Sequence, residues 1–138
     1  MDKEKILEKL QKSIQGTMSS AIGIKITDVG NNFICGKMPV DKRTVQPFGI
    51  LHGGASVALA ESLGSIAGSM KIDLNTEMVV GIEINVNHLK SVRDGWVEGK
   101  ASPIRVGKKI QVWEIKITNE KSELVCISRL TLAVVKKR

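Results

Sequence analysis

Ile6, Leu7, Leu10 and Ile14 recur at helical spacing among Lys and Glu residues, a stripe that predicts a short amphipathic helix near the start of the chain. Two strand-like runs follow, 21–29 and 33–40, parted by the turn-forming Gly30, Asn31 and Asn32. Pro47 and Gly49 keep the next stretch, DKRTVQPFGIL, irregular. From about 55 to 70 no Pro interrupts a run of tolerable helix formers, and Gly53 and Gly54 mark its start. This second helix is apolar nearly all round, which predicts that it is buried. Ala60, Gly64 and Gly68 give it a smooth ridge where another backbone can come close.

Four more strands are expected at 78–89, 96–102, 109–118 and 124–135. In the first, Val80, Ile82, Ile84, Val86 and His88 alternate with Gly81, Glu83, Asn85 and Asn87, so the odd and even positions read as opposite faces of a sheet with one side buried. Asp94-Gly95 predicts a hairpin and Asn119, Glu120 and Lys121 a turn. The order of elements defines an α+β fold in which an antiparallel β-sheet curls around one long central helix, with a short N-terminal helix. The whole of 1–138 reads as a single domain.

One residue breaks this pattern. Glu61 is the sole formal charge in QPFGILHGGASVALAESLGSIAGSM. A buried unpaired carboxylate costs several kcal/mol unless it finds a partner, a raised pKa or a wet site. A structural hydrogen bond or a half-exposed position would explain it blandly, but the uncharged surroundings favour a chemical role. Ser65, one turn on, shares its face and could hold a water with it. At the helix start Gly53 and Gly54 bring unblocked backbone N–H groups to the positive end of the helix dipole, as an oxyanion requires, and His52 and Gln46 supply further donors. Nine residues separate His52 from Glu61, about 13 Å at the helical rise, so both reach one substrate atom only if a second copy lies antiparallel beside the first. Dimerisation is thus expected to be a condition of activity.

Composition narrows the alternatives. A chain with 42% apolar and 25% charged residues has the make-up of an ordinary globular protein. Phe33, Phe48, Trp96 and Trp113 are its only aromatics, too few for a platform on which single-stranded nucleic acid stacks. The net charge of +7 favours anionic partners, with phosphorylated cofactors, nucleic acid and anionic lipid all compatible. The Glu61-bearing run is too polar and too short to span a bilayer. MDKEKILEKLQKSIQ lacks the apolar core of a secretory signal, so a cytoplasmic location is expected. Cys35 and Cys126 stand singly and read as buried reduced thiols; no spacing closes a metal site. No GxSxG elbow is present, and neither cysteine sits at a helix start, which argues against covalent Ser or Cys catalysis.

PFGILHGGASVALAES resembles the signature of the hotdog-fold acyl-CoA thioesterases, in the branch that holds the Arthrobacter-type 4-hydroxybenzoyl-CoA thioesterase and the phenylacetate-pathway thioesterases. MPVDKRTVQPFGILHGGASVALAESLGSIAG, VVGIEINVNHLKSVRDG and QVWEIKI resemble especially the 1,4-dihydroxy-2-naphthoyl-CoA hydrolases of menaquinone synthesis. The resemblance implies catalytic roles for Gln46, His52, Gly53, Glu61 and Ser65. Gly53 N–H and Gln46 would polarise the thioester carbonyl, with His52 near the carbonyl or leaving thiolate. Glu61 of the other subunit, with Ser65, would activate water or attack directly. It also implies a groove for the CoA arm along Gly81, His88, Leu89, Lys90, Ser91 and Arg93, continuing past Arg105, Val106, Gly107, Lys108, Lys109 and Ile110. The implied substrate is an acyl-CoA, with no separate cofactor and no metal, acting in a homodimer that pairs into a homotetramer, with no nucleic acid or membrane partner. Two other readings are a hotdog dehydratase or hydratase, whose HFP-type residues are replaced here by HGG, and a non-catalytic acyl-CoA-binding module.

Overall fold

The computed structural model describes residues 2–138. Its centre is a helix, α3 (Gly53–Ser69), whose Leu59, Leu63, Gly64, Ala67 and Gly68 are buried along one side. The other elements are α1 (Lys3–Ser13), α2 (Met18–Ala21), β1 (Lys25–Gly30), β2 (Phe33–Pro39), β3 (Glu77–His88), β4 (Trp96–Val106), β5 (Ile110–Thr118) and β6 (Leu124–Lys136). The strands form one antiparallel sheet in the order β1-β2-β4-β5-β6-β3. This is the expected sheet curled about one helix.

The close approach is built from small residues on both sides. Gly36 of β2 pairs with Gly99 of β4, and a Cβ at either would stand 2.7 Å from a Leu63 methyl, so the leucine fits only over paired glycines. On the helix, Cβ atoms at Gly64 and Gly68 would each fall 2.5 Å from a leucine of β6, Leu130 and Leu132. The glycines of the expected ridge therefore do meet the sheet. Beside them the fully buried Gln111 donates to the Gly68 carbonyl at 3.3 Å and accepts from the Trp113 indole N–H at 2.8 Å. Each buried polar group is thereby satisfied.

Several boundaries differ from the expected ones for identifiable reasons. Residues 21–24 are not extended: Met18–Ala21 forms a short helix, and Gly23 takes φ 83° to turn the chain into β1. The central helix starts at Gly53 because His52 caps it. β4 runs on to Val106, through Pro103, by way of a bulge between Pro103 and Arg105.

The faces of β3 also need correction. A bulge between Gly81 and Glu83 inserts Ile82 as an extra residue, so the alternation changes phase there. Gly81 pairs with the buried Leu132, and Ile84, Val86 and His88 pair with Leu130, Ser128 and Cys126. Gly81 thus shares the helix-facing side with Ile84, Val86 and His88, while Val80 and Ile82 are exposed.

The two sheet edges are unlike. At β1 the backbone N–H of Ile26 donates to the Gln11 side chain of α1 at 2.8 Å, and Lys3 pairs with Asp28 at 2.8 Å. Among the described residues nothing pairs with the outer side of β3. No helix among the described residues is long and apolar enough to cross a membrane.

Candidate active site

The loop ahead of α3 is held rigidly by its own hydrogen bonds. Thr44, 2% exposed, donates through Oγ1 to the Pro39 carbonyl at 2.7 Å and accepts from the His52 N–H, through its own carbonyl, at 2.8 Å. Val45 bridges to Leu51, and Gly49, with φ 79°, closes the turn by donating to the Gln46 carbonyl at 2.9 Å. Gln46 Oε1 accepts from the Phe48 N–H, which orients the amide and leaves Nε2 to donate outward.

At the helix tip the Gly54 N–H donates to His52 Nδ1 at 2.7 Å. This is the capping role that an isolated His at this place often has, and it decides the tautomer: in the neutral ring the proton is on Nε2, which points away from the cap. As the first helical residue, Gly53 has an N–H with no intrahelical acceptor. Its missing side chain leaves room for His88, whose Nε2 would be 2.9 Å from a Cβ at Gly53. His88 to Ser91 line a cleft of about 390 Å³ with Gly53, Ser56 and Leu51. His88, Leu89, Lys90 and Ser91, expected to line a CoA groove, therefore lie together at the helix tip.

Glu61 lies two turns away, at the other end of β3. Its Oε2 would be 2.7 Å from a Cβ at Gly81, so the carboxylate is seated against a strand position that only glycine leaves open. Glu61 is half-buried, neither exposed nor sealed in the core. Ser65 is half-buried as well and makes no hydrogen bond among the described residues, whereas the adjacent Ser62 is engaged by Ser19 at 2.8 Å.

The remaining expected groove residues join the Glu61 end. Val106 pairs with Gln111, Gln111 with Leu132, and Leu132 with Gly81, which sets the β4–β5 turn of Arg105, Val106, Gly107, Lys108, Lys109 and Ile110 beyond Gly81. Gly107 donates to the Ile110 carbonyl at 2.9 Å, closing that turn. His88, by contrast, pairs with Cys126 at the far end of β6. Seven residues separate Gly81 from His88, about 20 Å of strand. One chain therefore brings Gln46, His52, Gly53 and His88 to Arg93 together at one end, and Glu61, Ser65, Gly81 and 105–110 together at the other, but not the two sets to each other.

Of the cations in the expected groove, Lys90 is engaged by Glu123 at 3.2 Å, and that pairing, after the Asn119 bond, holds the Glu123 carboxyl below its usual range. Arg93, Arg105, Lys108 and Lys109 are exposed and form no ion pair among the described residues. The cysteine thiols are shifted in the unreactive direction: burial raises Cys35 and pushes Cys126 up to about 11. From sequence His88 is open to a structural or a ligand-facing role, and its place over Gly53 follows from no local signal.

A six-stranded sheet folded over one helix, with a glycine-opened helix tip and a carboxylate in the helix, is the hotdog arrangement. Residues 48–126 match the family model described as the thioesterase superfamily. The chain is 48% identical over 129 residues to the 1,4-dihydroxy-2-naphthoyl-CoA hydrolase of Escherichia coli, covering 94% of each protein. It is 45% identical to the proofreading thioesterase EntH of Cronobacter turicensis, over 94% of this chain and 93% of that one. The crystal structure of a Haemophilus influenzae thioesterase, 50% identical, superposes with a TM-score of 0.91 over 94% of this chain and 90% of the other. The chain belongs to the thioesterase superfamily, and it is a thioester hydrolase.

Proposed function

We propose that the protein hydrolyses aromatic acyl-CoA thioesters to the free acid and CoA in a site shared between two copies, with 1,4-dihydroxy-2-naphthoyl-CoA as the substrate. The observation that carries the shared site is the placement of Gly53 with His88 and of Glu61 with Gly81 at opposite ends of β3, a strand whose outer edge is bare. A two-fold axis through the middle of β3 pairs the edges of two copies antiparallel and brings the Gly81 end of one toward the His88 end of the other. The substrate assignment draws on the likeness to the Escherichia coli hydrolase; a role in menaquinone synthesis, in the cytoplasm, is part of the same proposal.

In this site the Gly53 N–H and Gln46 Nε2 bind the thioester oxygen and stabilise the charge that develops there. Glu61 of the other copy, with the free Ser65 hydroxyl, holds a water. The carboxylate takes its proton as the water oxygen bonds to the carbonyl carbon; the tetrahedral oxyanion then collapses, the C–S bond breaks, and the proton goes to the departing thiolate. His52, with its proton on Nε2, faces that leaving group. The CoA arm follows His88, Leu89 and Ser91, and Arg93, Arg105, Lys108 and Lys109 receive the phosphates. Exposed Val80, Ile82, Ile104 and Ile110 supply apolar surface on which two dimers join into a tetramer.

The test is a thiol-release assay on mixed variants. Glu61→Ala and Gln46→Ala/Gly53→Ala proteins, each inactive alone, are refolded together. Random pairing restores one intact site in half of the dimers, so about a quarter of wild-type activity returns. No recovery, with both variants dimeric, defeats the shared site. Enoyl hydration in place of thiol release would establish the dehydratase reading, and CoA binding without turnover the binding module.

A further inference from the structure

A cavity of about 830 Å³ lies on the other flank of α3, roofed by α1. Ile6 and Leu10 of α1 line it together with Phe33, Ile66, Met70 and Trp113, so its wall is mostly hydrocarbon. Its volume is within the range of roughly 300–1,000 Å³ of small-molecule sites. Trp113 offers no donor to an occupant, because its N–H is taken by Gln111, whose own amide is taken by the Gly68 carbonyl. The hydroxyls of Ser13, Ser65 and Ser69 also line it, and the larger polar groups are at the margin: Lys9, Asn31 and Lys71, the last of which donates to the Asn31 carbonyl and to Asn32 Oδ1.

The cavity reaches the catalytic face through Ser65, which lines it and stands one helical turn beyond Glu61. We propose that it receives the far end of the acyl group, so that α1, outside the matched 48–126 region, sets which thioesters are hydrolysed. This rests on the reading of Glu61 and Ser65 as the water-holding pair. The walls select the class of acyl group: an unsubstituted distal ring of a bicyclic aroyl group or a medium-length alkyl tail enters, and a tail ending in a charge is refused, since no buried partner awaits it.

The experiment compares kcat/KM for butyryl-, octanoyl- and naphthoyl-CoA and for an acyl-CoA whose tail ends in a carboxylate. In the wild type the octanoyl-to-butyryl ratio is expected to exceed about tenfold, from the added buried methylenes, and the carboxylate-ended substrate to be turned over least. Leu10→Trp, which fills the cavity from α1, lowers the octanoyl-to-butyryl and naphthoyl-to-butyryl ratios by about tenfold, chiefly through KM. Should Leu10→Trp fail to fold, Met70→Trp, from a position already 37% exposed, is read in the same way. Unchanged ratios in a folded variant overturn the inference while leaving thioester hydrolysis standing. A wild-type protein that cleaves none of these substrates overturns the proposed function and this inference with it.

Discussion

The Glu61 carboxylate rests where a side chain at Gly81 would be, with Oε2 2.7 Å from that glycine's would-be Cβ. Gly81 is not among the residues of positive φ, so the backbone itself accepts an alanine and the conflict is with the carboxylate alone. Gly81→Ala therefore displaces Glu61. The expected outcome is a fall in kcat of roughly tenfold to a hundredfold, as for a catalytic group moved by about 1 Å, with the melting temperature nearly unchanged. Steady-state kinetics beside a thermal melt decide it; an unchanged kcat would show that Glu61 does not act from this seat.

Gly53 and His88 are coupled in the same way at the helix tip. Gly53→Ala drives a methyl to 2.9 Å from His88 Nε2. Removing the ring first takes away that clash, so Gly53→Ala costs less in a His88→Ala background than in the wild type. A double-mutant cycle on kcat/KM measures the difference, expected between about 0.5 and 3 kcal/mol for residues in contact. Strict additivity would mean the two do not touch.

Gln111→Leu tests the buried polar pair. The change leaves the Trp113 N–H without its partner in a region of 0–1% exposure, while the Gly68 carbonyl keeps the Lys71 N–H at 3.1 Å. The orphaned donor costs about 1–3 kcal/mol. An unfolding free energy in urea lowered by that amount, at constant m-value, is the expected result, and a loss below about 0.5 kcal/mol would contradict the bonding described.

Cys126 makes alkaline stability measurable. Burial pushes its thiol from the ordinary 9.0 to about 11. Below pH about 9 the folded and unfolded chains both keep the proton, and the stability is whole. Between about 9 and 11 the unfolded chain releases a proton that the fold retains, so stability declines as pH rises, by about 2 kcal/mol in all. Cys126→Ala removes that share of the decline, which urea melts of both proteins across this range would resolve.

Much of the site could be read from sequence because its residues oppose their surroundings: a carboxylate among Ala, Ser and Leu, and paired glycines where a helix begins. The register of β3 was hidden for the opposite reason. Val80 and Ile82 look like the apolar residues after them, and one inserted residue reverses a face without altering any side-chain type. His88 over Gly53 and the Gln111–Trp113 pair join residues far apart in the chain, so no local spacing announces them. Residues 21–24 look like a strand because Ile22 and Ile24 suit one, while Gly23 and the short helix before it are set by tertiary packing.

Gln11 of α1 stoppers the β1 margin of the sheet, and the β3 margin is open. A body with one sticky side and one sealed side can join a twin, but the twin then has nothing left to offer a third along that line. Growth by the proposed edge pairing would thus halt at two copies, which would keep an exposed strand from seeding fibrils.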